Sequence, residues 1–195
     1  MYNEFSYKNF TLSVLLDGQV GGKMYSHSHH KMTEQGKLAH TLNGRLPGTE
    51  FYMSKDDPRI ATDGLSPQDG MYMIAPGVVK NDDGSFSKNT KVVTVESYYK
   101  EYYRMANVET NTFSTDFLKL REMRLEYKLP GSTLKKTPFS KASIAFYARN
   151  LFCITDYPLF DPESAALNGS SMVTGVETGS LPTARTFGLN INLSF

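Results

Sequence analysis

The last residues of the chain alternate: Phe187, Leu189, Ile191, Leu193 and Phe195 share one parity, and Gly188, Asn190, Asn192 and Ser194 take the other. A period of two predicts a strand with one apolar face. Phe10, Leu12, Val14 and Leu16 alternate in the same way with Thr11, Ser13, Leu15 and Asp17, and Ala142, Ile144, Phe146 and Ala148 with Ser143, Ala145, Tyr147 and Arg149. In a fourth segment Leu118 and Leu120 lie on one parity but Met123, Leu125, Tyr127 and Leu129 on the other, a phase slip that predicts a bulge near Arg121 and Glu122. Beyond it Glu122, Arg124, Glu126 and Lys128 share a face, which suits a wet lumen better than a packed interior. The predicted strands lie near 9–20, 116–129, 141–154 and 186–195.

A half-buried soluble sheet alternates too, so the period alone does not separate the two settings. The chain end does more, because a strand that runs to Phe195 with no polar tail is unusual for a soluble sheet edge, which charge or proline normally blunts. The connections are uneven, at about ninety, about a dozen and about thirty residues in turn. Membrane barrels alternate long outer loops with short inner turns, so this order predicts extracellular loops at 21–115 and 156–185 and a periplasmic turn at 130–140. The first of these is rich in turn signals such as Asn81-Asp82-Asp83-Gly84 and Ala75-Pro76-Gly77, with a short helix expected around Ser97–Arg104.

Composition narrows the classes. With 21 basic and 20 acidic residues the net charge is +1, which gives no field for nucleic acid. No run approaches the roughly 18 apolar residues of a spanning helix, whereas a spanning strand needs only about 9 to 11. The single cysteine, Cys153, supports neither a disulfide framework nor a cysteine-based zinc site. Asn3, Glu4, Lys8 and Asn9 interrupt Met1–Phe10, so no secretory leader opens the chain, and the strands favour a true start lying upstream.

Several motifs occur in a familiar order: Phe117-Leu118-Lys119-Leu120-Arg121-Glu122, Tyr127-Lys128-Leu129-Pro130, Arg149-Asn150-Leu151-Phe152, Tyr157-Pro158, Phe160-Asp161-Pro162-Glu163 and Pro182-Thr183-Ala184-Arg185-Thr186-Phe187-Gly188-Leu189-Asn190. With Tyr7-Lys8-Asn9-Phe10-Thr11-Leu12, Asp17-Gly18 and Gly21-Gly22-Lys23-Met24-Tyr25, the chain resembles the C-terminal part of SusC/RagA-like TonB-dependent transporters over nearly its whole length. The resemblance implies an all-β fold, antiparallel strands from the C-terminal end of a 22-stranded transmembrane barrel with long extracellular loops. Plug and signal peptide are absent from this segment. Four strands cannot close a barrel, for which about 8 is the smallest number.

Candidate chemistry is sparse. His27, His29, His30 and His40 could bind zinc or copper, but no cysteine supports them and a solvated polar loop explains them. Asp56-Asp57 and Asp82-Asp83 could serve calcium, yet lack EF-hand spacing and already suit turns. Ser26 or Ser28 beside the histidines lacks a nucleophile elbow, so no enzyme, cofactor or metal site is expected. Tyr98, Tyr99, Tyr102 and Tyr103 could contact a ligand or partner, or form a local loop core. Tyr127, Tyr147, Phe152, Tyr157 and Phe187 fit an interfacial aromatic girdle, and Arg149-Asn150 reads as a bulge or strand end.

The resemblance further implies that Phe187, Leu189, Ile191, Leu193 and Phe195 form the signal read by the barrel-assembly machinery. It implies an outer-membrane importer of oligosaccharides or peptides with a SusD-like surface lipoprotein, TonB (through the missing N-terminal part) and outer-membrane lipid as partners. The alternative is a stand-alone β-rich surface or soluble binding module without transport.

Overall fold

The computed structural model describes residues 1–135, 137–159, 161–164, 166–168 and 171–195. Phe160 of the Phe160–Glu163 motif lies outside them. The chain divides into two compact units, the first made of Met1–Met24, Phe113–Gly175 and Ser180–Phe195, the second of Tyr25–Thr112 and Val176–Gly179.

The first unit is built on a five-stranded antiparallel sheet in sequential order: β1 (Tyr2–Tyr7), β2 (Phe10–Gln19), β3 (Phe117–Lys128), β4 (Lys141–Thr155) and β5 (Thr186–Ser194). The sequence pattern marked four of these. β1 escaped it because Asn3 shares the parity of Phe5 and Tyr7, which leaves too short an apolar stripe. Tyr7 pairs with Phe10 across the two-residue turn Lys8-Asn9, where Lys8 supplies the positive φ of 53° that tight hairpins need.

Register sorts the side chains. Leu12 faces Leu125, Phe146 faces Leu125 from the other side, and Leu189 faces Phe146, so one row of apolar groups crosses four strands. Thr11, Glu126, Ala145 and Asn190 make the matching row on the opposite face. The phase slip has a physical cause. Leu15 pairs with Glu122 and Leu16 with Leu120, so Arg121 has no residue opposite it on β2, and on β4 the register also shifts, between Arg149 and Phe152. Asn150 in that bulge adopts φ 52° and donates to the Ala184 carbonyl at 3.0 Å.

The second unit replaces what the pattern suggested was a single long loop, and it makes the chain mostly β rather than all-β. Helix α1 (His27–Glu34) starts at Ser26, whose hydroxyl accepts from the His29 amide at 3.0 Å. Helix α2 (Pro58–Thr62) has Asp57 as its N-cap and Pro58 in its first turn, and α3 (Val95–Tyr102) is capped by Thr94. A hairpin of Tyr72–Ile74 with Val92–Thr94 divides the core by strand alternation. Tyr72 and Val92 pack with Met53 and Ile60, while Met73, on the other face, packs with Val95 and Tyr99 of α3.

Candidate functional site

Two surfaces of the five-stranded sheet carry its chemistry. The first is apolar. Phe5, Tyr7, Phe10, Leu118, Leu125, Ile144, Phe146, Phe152, Ile154, Phe187, Leu189, Ile191 and Leu193 lie on one face and all are exposed. Isolated exposed apolar residues are ordinary, but a contiguous field across five strands marks a surface meant for lipid or protein. At one end Phe10 and Tyr127 pack in register with ring centroids 4.7 Å apart and planes tilted by 42°.

The other face is polar and carries a cluster of charges at the bulge. Lys119, with its side chain only 3% exposed, donates to Asp161 and to Glu163. Arg121 donates to Asp17 through Nε at 3.0 Å and Nη2 at 2.8 Å, and to Glu163. Asp161 also accepts from the Thr183 hydroxyl at 2.5 Å and the Glu163 amide at 3.0 Å. Burial alone would raise its carboxyl, but the bonds from Lys119 and Thr183 outweigh that and hold it at about 2. The two ends of the connection between β4 and β5 are thus drawn together and fastened to β3.

In the second unit the histidines form part of a core. His29 and His30 are buried in α1. His29 Nδ1 meets Asn111 Oδ1 at 2.9 Å, His30 Nε2 meets Glu34 at 2.8 Å, and His40 Nε2 meets the Thr33 hydroxyl at 3.1 Å. Buried Glu177 accepts from Ser26 and Ser28, each at 2.7 Å, and these bonds offset burial and keep it ionised. The serines therefore anchor a carboxylate.

Comparison with known proteins shows what such a sheet is similar to. No family model matches the chain. Over 87 residues, 43% of the chain, it is 31% identical to TonB-dependent receptor P3 of Formosa agariphila, of which that stretch is 9%. The RagAB peptide importer in its closed-closed state aligns over 100% of the chain and 17% of its own, at 21% identity and a TM-score of 0.55. Its open-open state aligns over 97% and 16%, at 19% identity and a TM-score of 0.53. The fold is that of a segment of a RagA/SusC-like TonB-dependent receptor. The chain spans about a sixth of the solved chains it matches and a smaller part of the curated relative.

On this sheet Phe187, Leu189, Ile191 and Leu193 line the exposed apolar face of edge strand β5, and Phe195 meets the ring of Phe139 at 5.1 Å. The tyrosines of α3 separate by role. Tyr99 is buried and donates to the His40 and Asn43 carbonyls at 2.7 and 3.1 Å, and Tyr103 packs on His29 and His40. Tyr102 is half exposed and stacks on Tyr98 at 5.4 Å, beside an open cavity of about 370 Å³ that also touches Pro76, Arg104 and Asn107. Burial pushes the Tyr98 phenol up to about 12.

Two sequence readings need correction. His29 and His30 are not in a solvated loop, because α1 buries both and sets His29 against Tyr103 and Asn111. Tyr147 stands on the polar face opposite Gly188, and Tyr157 is buried against Phe113, so neither joins a girdle; Tyr127, Phe152 and Phe187 lie on the apolar face. The aspartates act within their own segments, in keeping with the turn reading: Asp57 caps α2 and pairs with Arg59, and Asp83 holds the turn through Ser85. No sequence pattern marks the Asp17, Lys119, Arg121, Asp161 and Glu163 cluster, whose members lie up to 104 residues apart along the chain for a bonded pair.

Proposed function

We propose that this chain is the C-terminal part of the 22-stranded barrel of an outer-membrane importer of oligosaccharides or peptides, driven through TonB and covered by a SusD-like lipoprotein. The observation that carries this reading is the apolar field across all five strands backed by a polar face. TonB-dependent receptors are outer-membrane proteins, and the resemblance is to transporters, not enzymes. Strands β2 to β5, of 10, 12, 15 and 9 residues, are long enough to cross hydrocarbon when tilted.

In this role the apolar face meets lipid and the row Glu122, Arg124, Glu126 and Lys128 faces a wet lumen. Residues 21–115 and 156–185 lie outside the cell, and 130–140 turns in the periplasm. Tyr98 and Tyr102 are then available to a ligand or to the lipoprotein. Phe187, Leu189, Ile191, Leu193 and Phe195 act as the assembly signal. The free edges of β1 and β5 pair with further strands of the same barrel.

The test is fractionation of the source cell envelope, probed with an antibody to Asp116–Phe195. The expected band is several times heavier than this chain, sits in the outer membrane and changes mobility on boiling. A soluble band at the mass of this chain, unaffected by boiling, sinks the proposal.

A further inference from the structure

The charge cluster at the bulge has an asymmetry that a purely structural ion-pair network does not need. Asp161 is locked: its side chain is 6% exposed and is held by Lys119, Thr183 and the Glu163 amide. Glu163 is different. Its side chain is 32% exposed, and its two oxygens are taken by two cations, Oε2 by Lys119 and Oε1 by Arg121 Nη2. One carboxylate thus bridges two positive groups from the same strand, in the arrangement that recognises a free carboxylate.

The cradle would persist without it. Lys119 Nζ and Arg121 Cζ both lie over the ring of Phe117, at 5.0 and 5.8 Å from its centroid, and Asp161 and Asp17 each keep hold of one cation. With Glu163 withdrawn, Lys119 and Arg121 are balanced by Asp17 and Asp161. Glu163 is therefore the carboxylate in excess and can move to water without leaving a buried charge uncompensated. Asp161 stays bound meanwhile, so the exchange does not require the connection to let go of β3.

We propose that Lys119 and Arg121 form a carboxylate-binding subsite whose resident occupant, Glu163, exchanges with the carboxylate of an incoming ligand. The inference rests on this geometry and not on the barrel reading. An internal group held this way sets a threshold, because a ligand must outcompete a tethered carboxylate at high effective concentration.

The test uses acetate as probe, titrated into the full-length protein at constant ionic strength made up with sodium chloride, with binding read from the linewidth of the acetate carbon signal. Removing the competitor in Glu163→Ala lowers the half-saturating acetate concentration by about tenfold or more relative to the unaltered protein. Adding Arg121→Gln to that variant abolishes binding. Glu163→Gln, which keeps the side chain's size, shows the same fall and serves where the alanine variant does not fold. No saturable acetate binding in either Glu163 variant, or a half-saturation equal to that of the unaltered protein, overturns the proposal.

Discussion

The imidazole of His40 lies on that of His29, ring centroids 5.1 Å apart and planes 19° from parallel. Tyr103 closes over both rings, Tyr99 flanks His40, and Thr33 and Asn111 meet their nitrogens. Burial pushes both groups below their ordinary 6.5, and His29 adds to the effect on His40. The folded state keeps these rings neutral while the unfolded chain takes up protons near that ordinary value. The stability contributed by the neutral pair is therefore complete above 6.5 and is lost as pH falls through it toward the lower folded values. Acidification from about pH 7.5 to about pH 5 should raise proteolytic cleavage within residues 25–112. A His29→Gln, His40→Gln double variant should flatten that profile; a profile already flat in the unaltered protein refutes the account.

Tyr99 and Tyr102 sit three residues apart on one helix and should behave differently. Tyr99→Phe removes a donor from the Asn43 carbonyl and from the His40 carbonyl, which keeps only the Asn43 amide, and should cost about 1–3 kcal/mol in the second unit. Tyr102→Phe should change stability by less than about 0.5 kcal/mol, as expected at an exposed position. Local hydrogen exchange of α3 measures both.

Gly188 is required by a neighbour rather than by its own backbone. A Cβ there would come within 2.5 Å of the Tyr147 ring, which lies across the glycine from the adjacent strand. Gly188→Ala should destabilise the sheet by about 1–3 kcal/mol. Combining it with Tyr147→Ala should remove the clash, so the two costs should not add in urea titrations of the folded, boil-sensitive form.

The two faces of β5 give a paired test of the membrane assignment. Leu189→Arg places a charge on the apolar face and should cost about 2–4 kcal/mol if that face lies near the bilayer midplane. Asn190→Arg, one residue away on the polar face, should leave the folded fraction on unboiled gels close to that of the unaltered protein. Equal loss from both substitutions would mean that the faces are not divided between lipid and water.

Where a residue's neighbour is two positions along or directly across a strand, the sequence carried the information. The alternation of Phe187 to Leu193, and the phase slip at Arg121, are local consequences of the pleat, so they are legible in the order of residues alone. The core around His29 and His40 is not, because it is built from polar and aromatic residues that hydrophobic periodicity ignores. The Lys119 cradle was hidden for another reason: its ligands come from β2 and from the connection after β4, and only tertiary pairing brings them together.

The chain leaves and re-enters the five-stranded sheet at adjacent points. Gln19 pairs with Phe117, the Gly21 amide donates to Asp116 at 2.5 Å, and the Thr115 amide donates to the Gly22 carbonyl at 3.2 Å. This neck fixes the register of β2 against β3 from within the first unit. Closing a longer or shorter excursion there changes the entropy only logarithmically with length. Evolution, or an engineer, can therefore exchange the insert between Gly22 and Thr115, together with the Val176–Gly179 segment whose Glu177 it holds through Ser26 and Ser28, for another of different size and keep the strands in place, which makes this position a grafting point where new recognition can be acquired without redesigning the wall that carries it.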